Sequence, residues 1–232
     1  MITELQNAEG ILNINKPKGI TSFDVVRKVR YKLGIQKVGH CGSLDPIATG
    51  VLLICFGGAT KKSKLMMDLR KCYKGVFKLG VKTDTDDITG NIISEMHDMK
   101  ISKDKIEEEM KNFIGDISQK VPLYSAAKVK GRCLYAYARK GLEVELPVKR
   151  VKVNNFELLD YNYPFVCFSV SCSKGTYVRG LARDIGDNLG CGATLFELTR
   201  TEIGSYTVDQ SLDLNWLINA DYTEVLSKRI NI

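Results

Sequence analysis

The densest chemical punctuation in the chain is the run Gly39-His40-Cys41-Gly42-Ser43-Leu44-Asp45-Pro46-Ile47-Ala48-Thr49-Gly50. Its glycines and proline predict a shaped loop, and Asp45 is its only acid. Pro46 biases Asp45 toward an extended backbone and so holds the carboxylate in one direction. A lone carboxylate in a cationic surround stays ionised and available as a nucleophile. The commoner fate, an aspartate that hydrogen-bonds its own turn, stays open at this point. Two further residues draw attention. Tyr73 opens an alternating run on its apolar face, where a core tyrosine with a surface hydroxyl is the plainer reading. Arg179 follows Ser173-Lys174-Gly175-Thr176-Tyr177-Val178. With Thr176 as N-cap, Arg179 falls in the first turn of a helix, where the dipole disfavours a cation. Such a placement asks for a nearby anion; the alternative is a solvated arginine paired with Asp184 or Asp187 on its own helix.

These residues need elements to hold them. Ile11 to Asn15 reads as a short strand, followed by the Lys16-Pro17-Lys18-Gly19 turn. Thr21 or Ser22 can cap a helix with Phe23, Val26, Val29 and Leu33 at helical spacing and Gly34 as its stop. Val51 to Phe56 is an apolar strand. Lys71 to Lys82 alternates, with Tyr73, Phe77, Leu79 and Val81 on one face and Lys74, Lys78 and Lys82 on the other, the pattern of a half-buried antiparallel strand. Ser102 to Phe113 predicts an amphipathic helix with Ile106, Met110 and Phe113 inward and Gly115 as its stop. Phe165 to Cys172 alternates again, and Tyr177 to Leu189 carries a helical stripe. Strands and helices interleave without strict β-α-β order. The expected class is α+β, a mixed and largely antiparallel sheet flanked by helices.

Charge narrows the partner. The chain carries +7 over 232 residues, and the excess is concentrated: residues 1 to 80 hold 14 basic and 5 acidic side chains. A basic lobe implies an anionic partner, with RNA, DNA and acidic membranes as candidates. The longest uninterrupted apolar stretch is far short of the roughly 20 residues of a bilayer span, and no secretory signal is visible at Met1 to Gly10. With only His40 and His97 for histidines, no zinc signature of paired histidines exists, and no metal is expected. The acidic stretch Thr83 to Gly90 lacks calcium-loop spacing and reads as a turn. His97 has no companions and reads as a surface residue. Cys41, Cys55, Cys72, Cys133, Cys167, Cys172 and Cys191 are scattered without a C-x-x-C, as reduced thiols of a cytoplasmic protein would be. No Gly-rich phosphate loop is present, so no nucleotide cofactor is expected.

Taken together, the motifs resemble those of the TruB-type tRNA pseudouridine synthases. Gly10-Ile11-Leu12-Asn13-Ile14-Asn15-Lys16-Pro17-Lys18-Gly19-Ile20-Thr21-Ser22 is similar to the family's opening motif, and Gly39 to Gly50 to the motif that contains its aspartate. Lys71-Cys72-Tyr73 with Thr83-Asp84-Thr85-Asp86, Pro122-Leu123-Tyr124-Ser125-Ala126 with Leu134-Tyr135-Ala136-Tyr137-Ala138-Arg139, Lys174 to Arg179, and Leu198-Thr199-Arg200 follow in the family's order. Three departures lie near the motifs. Cys41 stands where threonine is usual, Leu123 where a second proline is usual, and Gly180 where a hydroxyl or small residue commonly follows the arginine.

The resemblance implies the pseudouridine synthase fold and isomerisation of a T-loop uridine, position 55 of tRNA, to pseudouridine, with base flipping and no cofactor. It implies Asp45 as nucleophile, Tyr73 stacked on the target base, Arg179 as ion-pair partner of Asp45, Leu198 packed on the flipped base and His40 inserted into the RNA stack. Lys61, Lys62, Lys64, Lys74 and Lys78 form the basic face expected to meet phosphates. Lys16 and Pro17 are expected to shape the fold rather than to react. The expected layout is a catalytic domain over residues 1–206, including an RNA-clamping segment near 122–148. A short tail over 207–232 follows, with a helix around Leu214 to Asn219 and no RNA-binding PUA domain. The tRNA T-arm is the expected partner of a monomer. Two alternatives stand behind this reading: the catalytic subunit of a guide-RNA-directed pseudouridylation complex, and a non-catalytic tRNA-binding or tRNA-folding protein.

Overall fold

The computed structural model describes residues 8–97 and 100–231. From its start the chain forms β1 (Gly10–Lys16), α1 (Ser22–Leu33), β2 (Val38–His40), β3 (Thr49–Phe56), a 3-10 turn at Gly57–Lys62, α2 (Ser63–Asp68) and β4 (Lys71–Leu79). The middle holds β5 (Val81–Thr83), β6 (Ile92–Glu95), α3 (Lys103–Asn112), β7 (Gly115–Lys120), β8 (Lys128–Val129), β9 (Arg132–Cys133), α4 (Leu134–Ala138), β10 (Val148–Asn162) and β11 (Phe165–Cys172). After α5 (Val178–Asn188) and β12 (Ala193–Ile203) come β13 (Tyr206–Thr207), β14 (Leu212–Asp213), α6 (Leu214–Asn219) and α7 (Tyr222–Ser227). Two compact units divide the chain. One comprises the described residues of Met1–Tyr73 and Thr199–Ile232, the other Lys74–Leu198.

In the first unit β1 lies antiparallel to β3, with Asn13 opposite Leu53, and β14 runs parallel to β1. β2 pairs antiparallel with β3, and β12 joins it in parallel through Thr199 and Arg200. The unbroken apolar run of β3 follows from burial on both faces. Leu52, Ile54 and Phe56 pack with Leu12, Ile14 and the inner side of α1, whereas Val51, Leu53 and Cys55 pack with Ile11, Cys41 and Ile203. Each fully buried aliphatic side chain contributes on the order of 1.5–3 kcal/mol. The core therefore lies on both faces of the strand that leaves the Asp45 loop.

α1 begins at a reciprocal cap: the Thr21 hydroxyl accepts from the Asp24 amide while the Asp24 carboxylate accepts from the Thr21 amide. It ends at Gly34 in the left-handed conformation. Its inner face is Ser22, Val25, Val26, Val29 and Leu33; Phe23, expected inward, is 55% exposed. The buried stripe runs through Val25 rather than Phe23, and periodicity alone cannot separate these adjacent alternatives. Beyond Thr207 the chain returns to this core. The helix expected around Leu214 to Asn219 is α6, and Leu214, Leu217 and Val225 bury beside α1. Ile230 exchanges both backbone hydrogen bonds with Ile11.

In the second unit β10 pairs antiparallel with β7 on one side and β11 on the other. Phe77, Phe156 and Phe168 meet in its core, with ring centroids 5.5 and 5.6 Å apart for the two pairs involving Phe168. α3 buries Ile106 and Met110, as its periodicity predicts. The strand expected from Lys71 to Lys82 is interrupted at Gly80, which has φ +80° and whose missing Cβ would lie 2.4 Å from the Met96 carbonyl oxygen. The break starts a separate two-stranded ribbon of β5 and β6. Alternation on either side of Gly80 conceals the turn, because the burial pattern keeps its phase.

Candidate active site

The Asp45 loop is held at nearly every neighbouring residue. The Ser22 hydroxyl accepts from the Leu44 amide at 2.8 Å and donates to the Leu44 carbonyl at 3.0 Å. Gly19 N–H donates to the Pro46 carbonyl at 2.8 Å, and Ala48 N–H to the Asp45 carbonyl at 3.0 Å. Thr49 and Thr199 join their hydroxyls at 2.8 Å. Arg200, 1% exposed, donates Nε to the Val51 carbonyl at 2.7 Å and its two Nη groups to Ser43 and Gly42 at 3.2 and 3.3 Å. Gly50, at φ +102°, lies against the Arg200 backbone, where a Cβ would come within 2.2 Å of the carbonyl oxygen. Gly50→Ala is therefore expected to lower the unfolding free energy by about 3 kcal/mol, from left-handed strain and overpacking together. Urea titration reads this as a lowered midpoint.

Lys16 lies fully buried beside this loop, with Nζ donating to the Pro17 and Ile20 carbonyls at 2.8 and 2.9 Å. Burial pulls its pKa from 10.5 down to about 8; Asp45 opposes that fall and Arg200 adds to it. The linkage sign follows. Between about pH 8 and 10.5 the unfolded chain binds the proton that the folded chain has released, so stability contributed by this site rises with pH across that window. Below about pH 8 the buried ammonium costs about 3 kcal/mol relative to an unperturbed lysine. Stability of wild type measured against Lys16→Met should therefore improve from pH 8 to pH 10. A difference that stays flat contradicts the assignment.

His40 ends β2 opposite Ile54, half-buried, with its Nδ1 unpartnered. Burial first, then the Arg200 charge, lowers its pKa, so the imidazole is neutral at pH 7. Cys41, next along, has its thiol 3.0 Å from that of Cys55. That contact and burial push the Cys41 thiol up, away from reactivity. Here the residue that departs from the usual threonine serves as a small apolar packing group. Tyr73 is 8% exposed on β4. Lys61 and Lys62 are exposed on the 3-10 turn.

Arg179, Leu198 and Lys74 belong to the second unit. Arg179 is 3% exposed, so the solvated reading fails. Its guanidinium donates to the Thr85 carbonyl at 2.6 Å and the Tyr124 carbonyl at 3.1 Å, with Asp87 Oδ2 3.8 Å from Nε. The carboxylates on its own helix are engaged elsewhere: Asp184 with Arg183, and Asp187 with Lys82. Thr176 is not the N-cap. Its hydroxyl donates to the Ser173 carbonyl, and α5 starts after Tyr177, whose N–H and carbonyl are both taken by the Gln119 side-chain amide. Gly180 makes room for that amide, since a Cβ there would lie 2.9 Å from Gln119 Nε2. This accounts for glycine at a position where a side chain is common.

The acidic stretch is a turn, as expected. Asp87 Oδ1 accepts from the Thr89 amide and the Thr85 hydroxyl, and Asp84 caps Asn91. Among the described residues no cluster of His, Cys, Asp and Glu has metal-site geometry. Leu198 is 6% exposed, and Gly75 allows it to approach, a Cβ there falling 3.1 Å from Leu198 Cδ1. Lys74 is exposed, and His97 is at the surface. Sequence reasoning missed Arg200, Ser22, Gln119 and Asp87 as supports. None of the four carries a local signal: the strand that holds Arg200 also holds Glu197, Glu202 and three threonines.

Residues 30–178 match the model of the TruB family pseudouridylate synthase N-terminal domain, and residues 179–230 that of the tRNA pseudouridylate synthase B C-terminal domain. The tRNA pseudouridine synthase B of Clostridium kluyveri is 46% identical over 209 residues, covering 90% of this chain and 72% of that protein. The protein of the same name from Pseudomonas aeruginosa is 43% identical over 212 residues, covering 91% and 69%. Among solved structures, a Cbf5-Nop10-Gar1 complex matches with a TM-score of 0.70 at 29% identity over 94% of this chain, which spans 55% of that one. An archaeal box H/ACA Nop10-Cbf5 complex matches with a TM-score of 0.71 at 26% identity, the chain spanning 60% of it. No described helix is long and apolar enough to cross a membrane. With a family model over more than half its length and relatives this similar, the chain belongs to the TruB family of tRNA pseudouridine synthases.

Proposed function

We propose that the protein isomerises the T-loop uridine at position 55 of tRNA to pseudouridine, with Asp45 as nucleophile. The observation that carries this reading is the fixation of the Asp45 loop. Leu44, Pro46, Gly42 and Ser43 are each tied by hydrogen bonds from outside the loop, so the carboxylate projects from a rigid frame. Rigid presentation of one reacting group is what nucleophilic catalysis requires. The reaction is redox-neutral. The N1–C1′ bond breaks, the uracil turns, the C5–C1′ bond forms, the C5 proton leaves to solvent, and N1 takes one up. A glycosidase would need a second carboxylate placed as acid or base.

The target base must leave its stack first, at a cost of a few kcal/mol. Tyr73 and Leu198 serve as the apolar surfaces that receive the base, neutral His40 fills the gap in the RNA, and Lys61, Lys62 and Lys74 contact phosphates. The segment near 122–148 contributes Lys128, Lys130, Arg132 and Arg139 and acts as the RNA clamp. The resemblance of its motif to the family's supports Arg179 as the counter-charge for Asp45. Carbodiimide-stop mapping of an unmodified tRNA, incubated without guide RNA, tests the assignment: a stop at position 55 is expected. Product that appears only with a guide RNA assigns the protein to guide-directed modification. Tight, salt-sensitive binding with no product assigns it to tRNA binding alone.

A further inference from the structure

We propose that Arg200 is a positioning residue for Asp45: its buried guanidinium fastens both ends of the Asp45 loop and so sets where the carboxylate points. The inference rests on the reading of Asp45 as nucleophile. Residues 41–48 connect β2 to β3, and Arg200 reaches both sides. Gly42 and Ser43 stand at the entry and Val51 just past the exit, and each carbonyl accepts from a different nitrogen of one planar group. A planar fork with fixed donor directions is specific to arginine, and lysine cannot reproduce it. All three acceptors are backbone carbonyls, so the contact reports backbone position rather than side-chain identity.

A purely structural cation would be an expensive way to fill this space. An apolar side chain of similar volume would avoid the desolvation of a buried charge. The backbone shows the same demand: Gly50 has no side chain, and this lets the Arg200 main chain pair directly with it in the parallel register. The charge also acts locally. Arg200 lowers the pKa of both Lys16 and His40, which lie beside the loop, while Asp45 and Asp24 act on Lys16 in the opposite sense. The guanidinium therefore contributes to the potential at the loop as well as to its shape.

The test uses Arg200→Lys and Arg200→Met in the full chain, with single-turnover rate, tRNA Kd and thermal midpoint measured in parallel. Asp45→Asn serves as the control for the underlying reading. Displacement of a reacting group by about 1 Å costs on the order of 10²-fold in rate. The expected result for Arg200→Lys is a loss of that size in single-turnover rate, with Kd within about threefold of wild type. Arg200→Met should lose at least as much. A folded Arg200→Lys with a near wild-type rate overturns the proposal, as does a loss confined to Kd. Failure of both variants to fold makes Arg200 a stability residue and overturns it too. If Asp45→Asn keeps full activity, the nucleophile assignment has failed, and the Arg200 result then bears on the fold only.

Discussion

Asp45→Asn should abolish pseudouridine formation, by about 10⁴-fold or more, while leaving tRNA affinity within a few fold. Asparagine is nearly isosteric with aspartate, and the anchors of the loop are backbone groups and other side chains. Ser22 holds Leu44, Gly19 holds Pro46, and Arg200 holds Gly42 and Ser43. None requires a carboxylate at position 45, so the loop should survive the substitution. Removing the nucleophile of a covalent mechanism typically costs four to six orders of magnitude. Single-turnover assays with saturating enzyme, alongside filter binding, separate the two quantities. A variant that binds poorly but turns over normally would assign Asp45 to recognition rather than to chemistry.

Arg179→Ala is the second large effect expected, and it should strike turnover far harder than affinity. The side chain is buried, with two of its nitrogens on the carbonyls of Thr85 and Tyr124 and Asp87 close by. Truncation leaves these acceptors without their donor, and a buried carboxylate stripped of its cation costs roughly 3–5 kcal/mol of stability. Arg179→Lys keeps the charge and is the gentler probe. Losing a charge positioned for a reacting group typically lowers the rate by about 10²–10³-fold. Both variants should bind tRNA with Kd close to wild type at fixed salt. A pure loss of affinity, with an unchanged single-turnover rate, contradicts the role given to Arg179.

Much of this arrangement could be read from residue types. β1, α1 and the apolar β3 announce themselves through period and caps, and Gly34 ends α1 at the expected residue because only a left-handed position was needed there. What was hidden is mostly tertiary. The interruption at Gly80 keeps the alternation in phase, so the turn leaves no mark in the pattern. Phe23 and Val25 compete for the inner face of α1, and three-dimensional packing chooses between them. Thr176 looks like a cap, but a distant glutamine, Gln119, takes the helix start instead. The last segment looked like a tail because short helices carry little signal. Its Leu214, Leu217 and Val225 are nonetheless part of the first unit's core.

The site followed the same rule. Asp45 stood out because a lone acid among glycines and basic residues is unusual, and the loop around it is fastened at Gly42, Ser43, Leu44 and Pro46. The groups that fasten it could not be foreseen, because hydrogen bonds between residues 22 to 158 positions apart leave no local signature. Arg200 is the clearest case, reaching Val51 across a separation of 149 residues.

The proposed role of Asp45 is to drive carbon–carbon glycosidic bond formation at one uridine of tRNA. Its most direct measurement is tritium release from tRNA transcribed with uridine labelled at C5, since only formation of the C5–C1′ bond frees that proton. Wild type, without guide RNA, should release close to one tritium per tRNA, and Asp45→Asn should release none above background. Equal release from both proteins, or none from wild type, would contradict that role.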